Sequence, residues 1–156
     1  MKTSKTIWLW TLVFLFASCS VMKNSVSTKK TLQQKVESKD FTIYVSRCIP
    51  TDLVNSGFNS DVVLVVKKDS AYANLPFHGL LNVKQLEIPL DPISFNEPIY
   101  DFIMNKNDDG GWVVIFKVKS DPYIYQVNIT ISAKGYAVAK VTSNDRNTMT
   151  YFGDVD

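Results

Sequence analysis

The chain contains little cysteine and histidine for its length. Its 156 residues include two cysteines, Cys19 and Cys48, and one histidine, His78. A zinc site needs three or four ligands, and a cysteine nucleophile needs a histidine base with a third orienting group. We therefore expect no metal site and no catalytic cysteine. We interpret Cys48 as a small apolar residue at the end of a strand.

Motifs that hold cofactors or activate nucleophiles are also missing. The sequence has no Gly-x-Ser-x-Gly elbow, no phosphate-binding P-loop and no dinucleotide fingerprint. We expect no cofactor, and the sequence favours a protein that is not an enzyme. A hydrolase with paired carboxylates remains the alternative. Its candidate residues lie in one proline-rich region and are Glu87, Asp91, Glu97 and Asp101.

An excess of charge of one sign is missing as well. The chain has 17 basic and 15 acidic residues, and the two signs are interspersed. Two of the basic residues, Lys2 and Lys5, precede the first apolar run. Without them the chain has equal numbers of basic and acidic residues. Nucleic-acid binding requires a clustered basic face. We therefore expect no nucleic-acid partner.

No apolar run is long enough for a membrane-spanning helix. The longest, residues 7–16, covers roughly half of a hydrocarbon core about 30 Å thick. It follows Lys2 and Lys5 and precedes Ala17-Ser18-Cys19, an order typical of a lipoprotein export signal. We predict a signal peptide at residues 1–18, lipid attachment at Cys19 and a flexible tether at residues 19–28.

The residues after Cys19 also indicate a location. Residues 20–24 read Ser-Val-Met-Lys-Asn, with no acidic residue beside the cysteine and no acidic cluster. This pattern favours the outer membrane and a domain that faces the periplasm. The first partner that we expect is therefore the membrane itself, contacted through the N-terminal lipid anchor.

The rest of the chain predicts a single β-rich domain at residues 29–156. A short amphipathic helix is expected within residues 29–39, where Leu32 and Val36 share one face. The run Val62–Val66 indicates a strand buried on both faces. From Phe41 onward, β-branched and aromatic residues alternate with polar ones between turn residues. We predict strands at residues 41–48, 61–68, 70–75, 84–89, 99–105, 111–119, 122–132, 135–143 and 148–155.

Short connections predict how the later strands are joined. The connecting segments are rich in glycine, asparagine, aspartate and proline, and each is a few residues long. Short connections join antiparallel neighbours, so the last five strands should form a meander. About nine strands with little helix must fold over or close. We predict an all-β fold, either an antiparallel sandwich or a partly open barrel.

Several spaced segments resemble a known family. They are Asp40-Phe41-Thr42, Val65 to Tyr72, Leu75 to Gly79, Gly111-Trp112 before Phe116 to Lys119, and Val141 to Arg146 with Tyr151-Phe152-Gly153. Together they resemble the Bacteroidetes lipoproteins of the domain of unknown function 4251, over nearly the whole exported chain. After Gly79 this chain reads Leu-Leu-Asn-Val-Lys, where such proteins tend to carry an aromatic and glycine-rich stretch. The resemblance implies an exported β-domain and no activity, so no catalytic residue is carried over.

Aromatic residues provide the candidate binding site. Rings supply contact area and tyrosine hydroxyls supply direction, which suits a groove for a glycan or an apolar ligand. The sequence nevertheless favours the simpler interpretation, in which the rings are strand residues that fill the core. The candidates are Tyr72, Phe77, Tyr100, Phe102, Trp112, Tyr123, Tyr125, Tyr136 and Tyr151. For ligand contact we single out Tyr72, Phe77, His78 and Trp112.

These observations predict a lipid-anchored binding or interaction module of the cell envelope without enzymatic activity. Its partner is expected to be an envelope protein or a small ligand. The carboxylate hydrolase and the carrier of a small apolar or glycan ligand remain as alternatives.

Overall fold

The computed structural model describes residues 31–50, 56–57, 62–77 and 91–156, and these residues form one helix and nine antiparallel strands. The elements are α1 (Leu32–Glu37), β1 (Asp40–Pro50), β2 (Ser56–Gly57), β3 (Val63–Lys67), β4 (Ser70–Leu75), β5 (Ile93–Lys106), β6 (Trp112–Ser120), β7 (Tyr123–Ile131), β8 (Tyr136–Ser143) and β9 (Met149–Val155). The predicted strand 84–89, the signal peptide 1–18, Cys19 and His78 lie outside the described residues.

The sheet closes into a barrel. The strand order is β1-β3-β4-β5-β6-β7-β8-β9, and β9 pairs back with β1 from Ile43↔Val155 to Pro50↔Met149. Eight strands close the ring, while the two-residue strand β2 pairs with β1 beyond β3. Closure leaves the ring without an unpaired edge. The all-β prediction is confirmed, and of its two architectures the barrel is the one that forms.

Side chains alternate between the barrel interior and its outer surface, as strand geometry requires. On β6, Trp112, Val114, Phe116 and Val118 are buried, and the residues between them are only half-buried. The meander of the last five strands is confirmed. The prediction that Val62–Val66 is buried on both faces is wrong, since only Leu64 and Val66 of that run are buried. A strand in the wall of a single barrel keeps one outward face.

Strand β5 begins earlier than the sequence predicted. It starts at Ile93 and includes Pro98, whose neighbour Ile99 donates its backbone N–H to the Asp69 carbonyl at 2.8 Å. The strand also contains a bulge, where Asp101 has φ of 53° and the register with β6 shifts. The first half of β5 lies between Pro92 and Pro98, and prolines are rare inside strands, so it was not predicted, whereas the bulge falls in the half that was.

Helix α1 covers one end of the barrel. Thr31 and Gln34 form a capping box at its N-terminus, and Val36 is fully buried in the core. The Lys35 ammonium pairs with Asp156 at 2.8 Å, just beyond β9. The predicted short helix is therefore confirmed, within narrower bounds. No helix in the described ranges is long and apolar enough to cross a membrane.

Candidate functional site

The end of the barrel opposite α1 contains a buried arginine. We call this end the distal mouth; the last residue of β4 and the first residues of β5, β7 and β9 lie there. Arg146 lies in the connection between β8 and β9, and only 5% of it is exposed. No other charged residue is buried among those that the structure describes. A charge in this position needs an explanation, because arginine is almost never fully buried without a partner.

Aromatic rings surround the Arg146 guanidinium. Its central carbon lies 4.2 Å from the ring centroid of Tyr123 and 5.2 Å from that of Phe77. The Tyr123 ring contacts Tyr125 at 5.8 Å between centroids, and Tyr125 contacts Phe95 at 5.5 Å. The cation is therefore held by ring faces, which attract it electrostatically. At the distal mouth, two rings therefore lie against one cation, and two more rings pack behind Tyr123.

The hydrogen bonds of Arg146 are incomplete. Nη1 donates to the backbone carbonyl of Asp91 at 2.7 Å. The Nε–H is shielded from solvent and has no hydrogen-bond partner in the described part of the chain. The ion pairs within that part join lysines to aspartates and do not include Arg146. Among the described residues, the guanidinium thus has a buried donor without an acceptor and no carboxylate to balance its charge.

Two ionisable groups near the distal mouth are held in their neutral forms. Tyr151 is fully buried and donates its hydroxyl proton to the Pro76 carbonyl at 2.8 Å. Desolvation raises the pKa of Tyr151 far above its usual value. Burial also raises the pKa of Cys48, which pairs with Tyr151 across β1 and β9, to about 11. Neither group is ionised at neutral pH, so Cys48 lacks the thiolate that a nucleophile needs.

The aromatic residues that the sequence singled out are divided between different surfaces. Phe77 lies at the distal mouth, whereas Trp112 is buried at the α1 end, with the Lys106 ammonium 5.5 Å from its ring centroid. Tyr72 faces outward and is 41% exposed. His78, the fourth predicted contact, lies outside the described residues. Tyr72, Phe77 and Trp112 are therefore not brought together into one groove.

Sequence reasoning missed Arg146. The residue was seen only as part of a turn, because it follows Asn144 and Asp145 in a short polar segment. That segment is held by side-chain hydrogen bonds: Asn144 Nδ2 donates to Asp145 Oδ2 at 2.6 Å, and Asn144 Oδ1 accepts from Ile124 N at 3.4 Å. Nothing in the local pattern distinguishes an arginine that turns inward from one that faces solvent. The pairing of β7 with β8, which sets Tyr125 opposite Ser143, places it beside Tyr123.

The described candidate carboxylates of a hydrolase lie in different surroundings. Asp101 is on the outer surface, where it forms an ion pair with Lys117 at 2.9 Å. Asp91 presents its backbone carbonyl, not its carboxylate, to Arg146. Glu97 is half-buried on β5, and Glu87 lies outside the described residues. The described ranges also contain no group of three or more potential metal ligands.

Comparison with known proteins places the chain in a family. The model of the domain of unknown function DUF4251 matches residues 23–155. A crystal structure of a DUF4251 family protein from Bacteroides eggerthii DSM 20697 is similar in fold, with a TM-score of 0.62 at 14% sequence identity. The similarity covers 77% of this chain and 80% of that one. No curated protein matches the sequence. The family model spans most of the chain, and this protein therefore belongs to the DUF4251 family.

Proposed function

We propose that this protein is a lipid-anchored binding module of the cell envelope, without enzymatic activity, that takes a small ligand at the distal mouth of its barrel. The observation that carries the proposal is the buried Arg146 guanidinium, which lies against aromatic rings and has an unused donor. Buried polar groups in folded proteins almost always have partners, and an exception of this kind is a candidate binding site.

The chemistry of the distal mouth supports binding rather than catalysis. A general acid or base must change its protonation state near the working pH. Tyr151 and Cys48 have raised pKa values and stay protonated there. Arginine keeps its proton under all ordinary conditions, so it can bind and orient a ligand but cannot shuttle a proton. Rings and one fixed cation are the components of a recognition site.

The proposed anchor agrees with such a role. Lipidation at Cys19 and a tether at residues 19–28 would hold the barrel at the outer membrane, facing the periplasm. Ten extended residues reach at most about 35 Å, so the domain would stay close to the bilayer. A binding module held in this way captures its ligand near the membrane surface.

A neutral fluorescent probe tests the proposal. N-phenyl-1-naphthylamine brightens in apolar sites and carries no charge, so it reports the aromatic mouth separately from the cation. We would titrate it into the exported chain carrying Cys19→Ser, which removes the lipid and the need for detergent. We expect saturable binding with one site per barrel. Tyr123→Leu should weaken it about fivefold or more, because ring stacking at the mouth is lost.

A matched control uses an aromatic residue on the outer surface. Tyr72→Leu removes an exposed ring far from Arg146 and should leave probe binding unchanged. Circular dichroism would establish that both variants are folded. Absence of saturable binding by the folded wild-type protein would refute the proposed site, and so would an equal loss in the two variants.

A further inference from the structure

We infer that the ligand of the distal mouth is an organic carboxylate with an apolar body, and that its carboxylate binds the Nε side of the Arg146 guanidinium. This inference rests on the proposed function and specifies the ligand class. It begins from the incomplete hydrogen bonds of Arg146 and continues through the charge balance of the mouth to the rings that lie there.

The guanidinium presents one unused edge. Arginine carries five N–H donors in a planar fork that matches a carboxylate through two parallel hydrogen bonds. In Arg146, Nη1 is engaged by the Asp91 carbonyl, while Nε, at the other side of the group, has no acceptor among the described residues. A carboxylate that spans Nε and the adjacent Nη2 would satisfy the buried donor and leave the bond to Asp91 in place.

The positive charge of Arg146 also favours an anionic ligand. A backbone carbonyl and two ring faces offer only partial negative charge, and no described carboxylate pairs with the guanidinium. Removing an ion from water without a counter-ion costs several kcal/mol. An anionic ligand offsets that cost when it binds, a neutral one does not, and a cationic one is repelled.

The rings at the mouth suit an apolar body. Phe77 and Tyr123 lie against the cation, and Tyr125 and Phe95 pack behind Tyr123. The barrel interior behind them is filled by side chains, since even the small residues on the facing strands β4 and β8, Ala71, Ala73, Ala137 and Ala139, are only 0–1% exposed. An apolar body would therefore pack against the rings at the mouth and not between the strands.

The test compares three competitors that share a similar hydrocarbon tail and differ in the charge of the head group. Laurate, 1-dodecanol and dodecyltrimethylammonium would each displace the neutral probe from the same protein, below their aggregation concentrations. We expect laurate to displace it at about tenfold lower concentration than the alcohol or better, because a charge-assisted pair of hydrogen bonds is gained. The cation should be the weakest of the three.

Substitutions test whether Arg146 is the residue that recognises the charge of the competitor's head group. Arg146→Met keeps an apolar stem and removes the cation, so the ratio between laurate and 1-dodecanol should fall to about one. Arg47→Met is the matched control, because Arg47 also lies over a ring, that of Phe152 at 4.5 Å, but on the exposed face. It should keep the wild-type ratio.

The outcomes separate the two proposals. Equal displacement by laurate and 1-dodecanol from wild-type protein would overturn the carboxylate inference while the binding site itself stands. An unchanged ratio in Arg146→Met would also overturn it. If Arg146→Met does not fold, the wild-type ratio alone decides. If no probe binds to folded wild-type protein, both proposals are overturned.

Discussion

Replacement of Arg146 by methionine distinguishes a binding residue from a structural one through stability alone. In the ligand-free protein three terms favour the arginine. Its hydrogen bond to the Asp91 carbonyl contributes about 1.5–3 kcal/mol, since the donor is charged. The ring contacts with Tyr123 and Phe77 add about 0.5–2 kcal/mol each.

The terms that disfavour a buried arginine are of similar size. Desolvation of an unpaired buried cation costs several kcal/mol, and the buried Nε–H without an acceptor adds about 1–3 kcal/mol. Methionine recovers apolar packing against the same rings. Because Asp91 is exposed, water can replace the lost donor at its carbonyl. We therefore expect the free energy of unfolding to change by less than about 1 kcal/mol, with either sign.

Urea denaturation followed by the fluorescence of Trp112 measures this change. Trp112 is buried, and the other two tryptophans, Trp8 and Trp10, belong to the predicted signal peptide. Tyr151→Phe serves as the sensitivity control, because it leaves the Pro76 carbonyl without its donor and should cost about 1–2 kcal/mol. A loss of about 3 kcal/mol or more in Arg146→Met would refute the reasoning. It would mean that Arg146 holds the mouth closed as part of the fold.

Three further changes test other parts of the structure. Cys19→Ala should abolish incorporation of labelled palmitate and move the protein out of the membrane fraction, and retention of the label would place the acyl chain elsewhere. Burial raises the pKa of Cys48 from its ordinary value of 9.0 to about 11, so the unfolded thiol loses its proton at a lower pH than the folded one. The free energy of unfolding should therefore fall as the pH rises from 9.0 to about 11. The fall should be steeper in wild-type protein than in Cys48→Ala. Gly153→Ala should destabilise the barrel by about 1–3 kcal/mol in the same urea assay, because the added Cβ would collide with the Tyr44 backbone carbonyl where β9 closes onto β1.

The sequence predicted the strands whose burial alternates cleanly. Residues 112–118 and 123–131 have one apolar face and short turns on either side, so local pattern and final structure agree. Strand β5 was predicted only in its second half, because Pro92 and Pro98 flank the first half and prolines are rare inside strands. Barrel closure was not predictable from local signals. It depends on the pairing of β1 with β9, which are separated by most of the described chain.

The candidate site was predictable only in part, for a physical reason. Phe77 was expected to contact a ligand, and it does lie at the distal mouth. Tyr72 was expected beside it, yet the two residues point to opposite sides of the wall. Tyr72 belongs to β4, where alternate residues face outward, whereas Phe77 follows the end of that strand. Arg146 could not be recognised, since its burial follows from long-range packing rather than from its neighbours in sequence.

The position of α1 gives the proposed site a direction relative to the membrane. Thr31, which caps α1, is at the end of the barrel opposite Arg146, and any tether preceding it reaches the barrel at that end. Strand β1, with 11 residues rising about 3.3 Å each, spans about 36 Å along its own tilted direction. The distal mouth would therefore face away from the anchored end. If the domain is anchored as proposed, this separation favours a ligand that enters from the aqueous side.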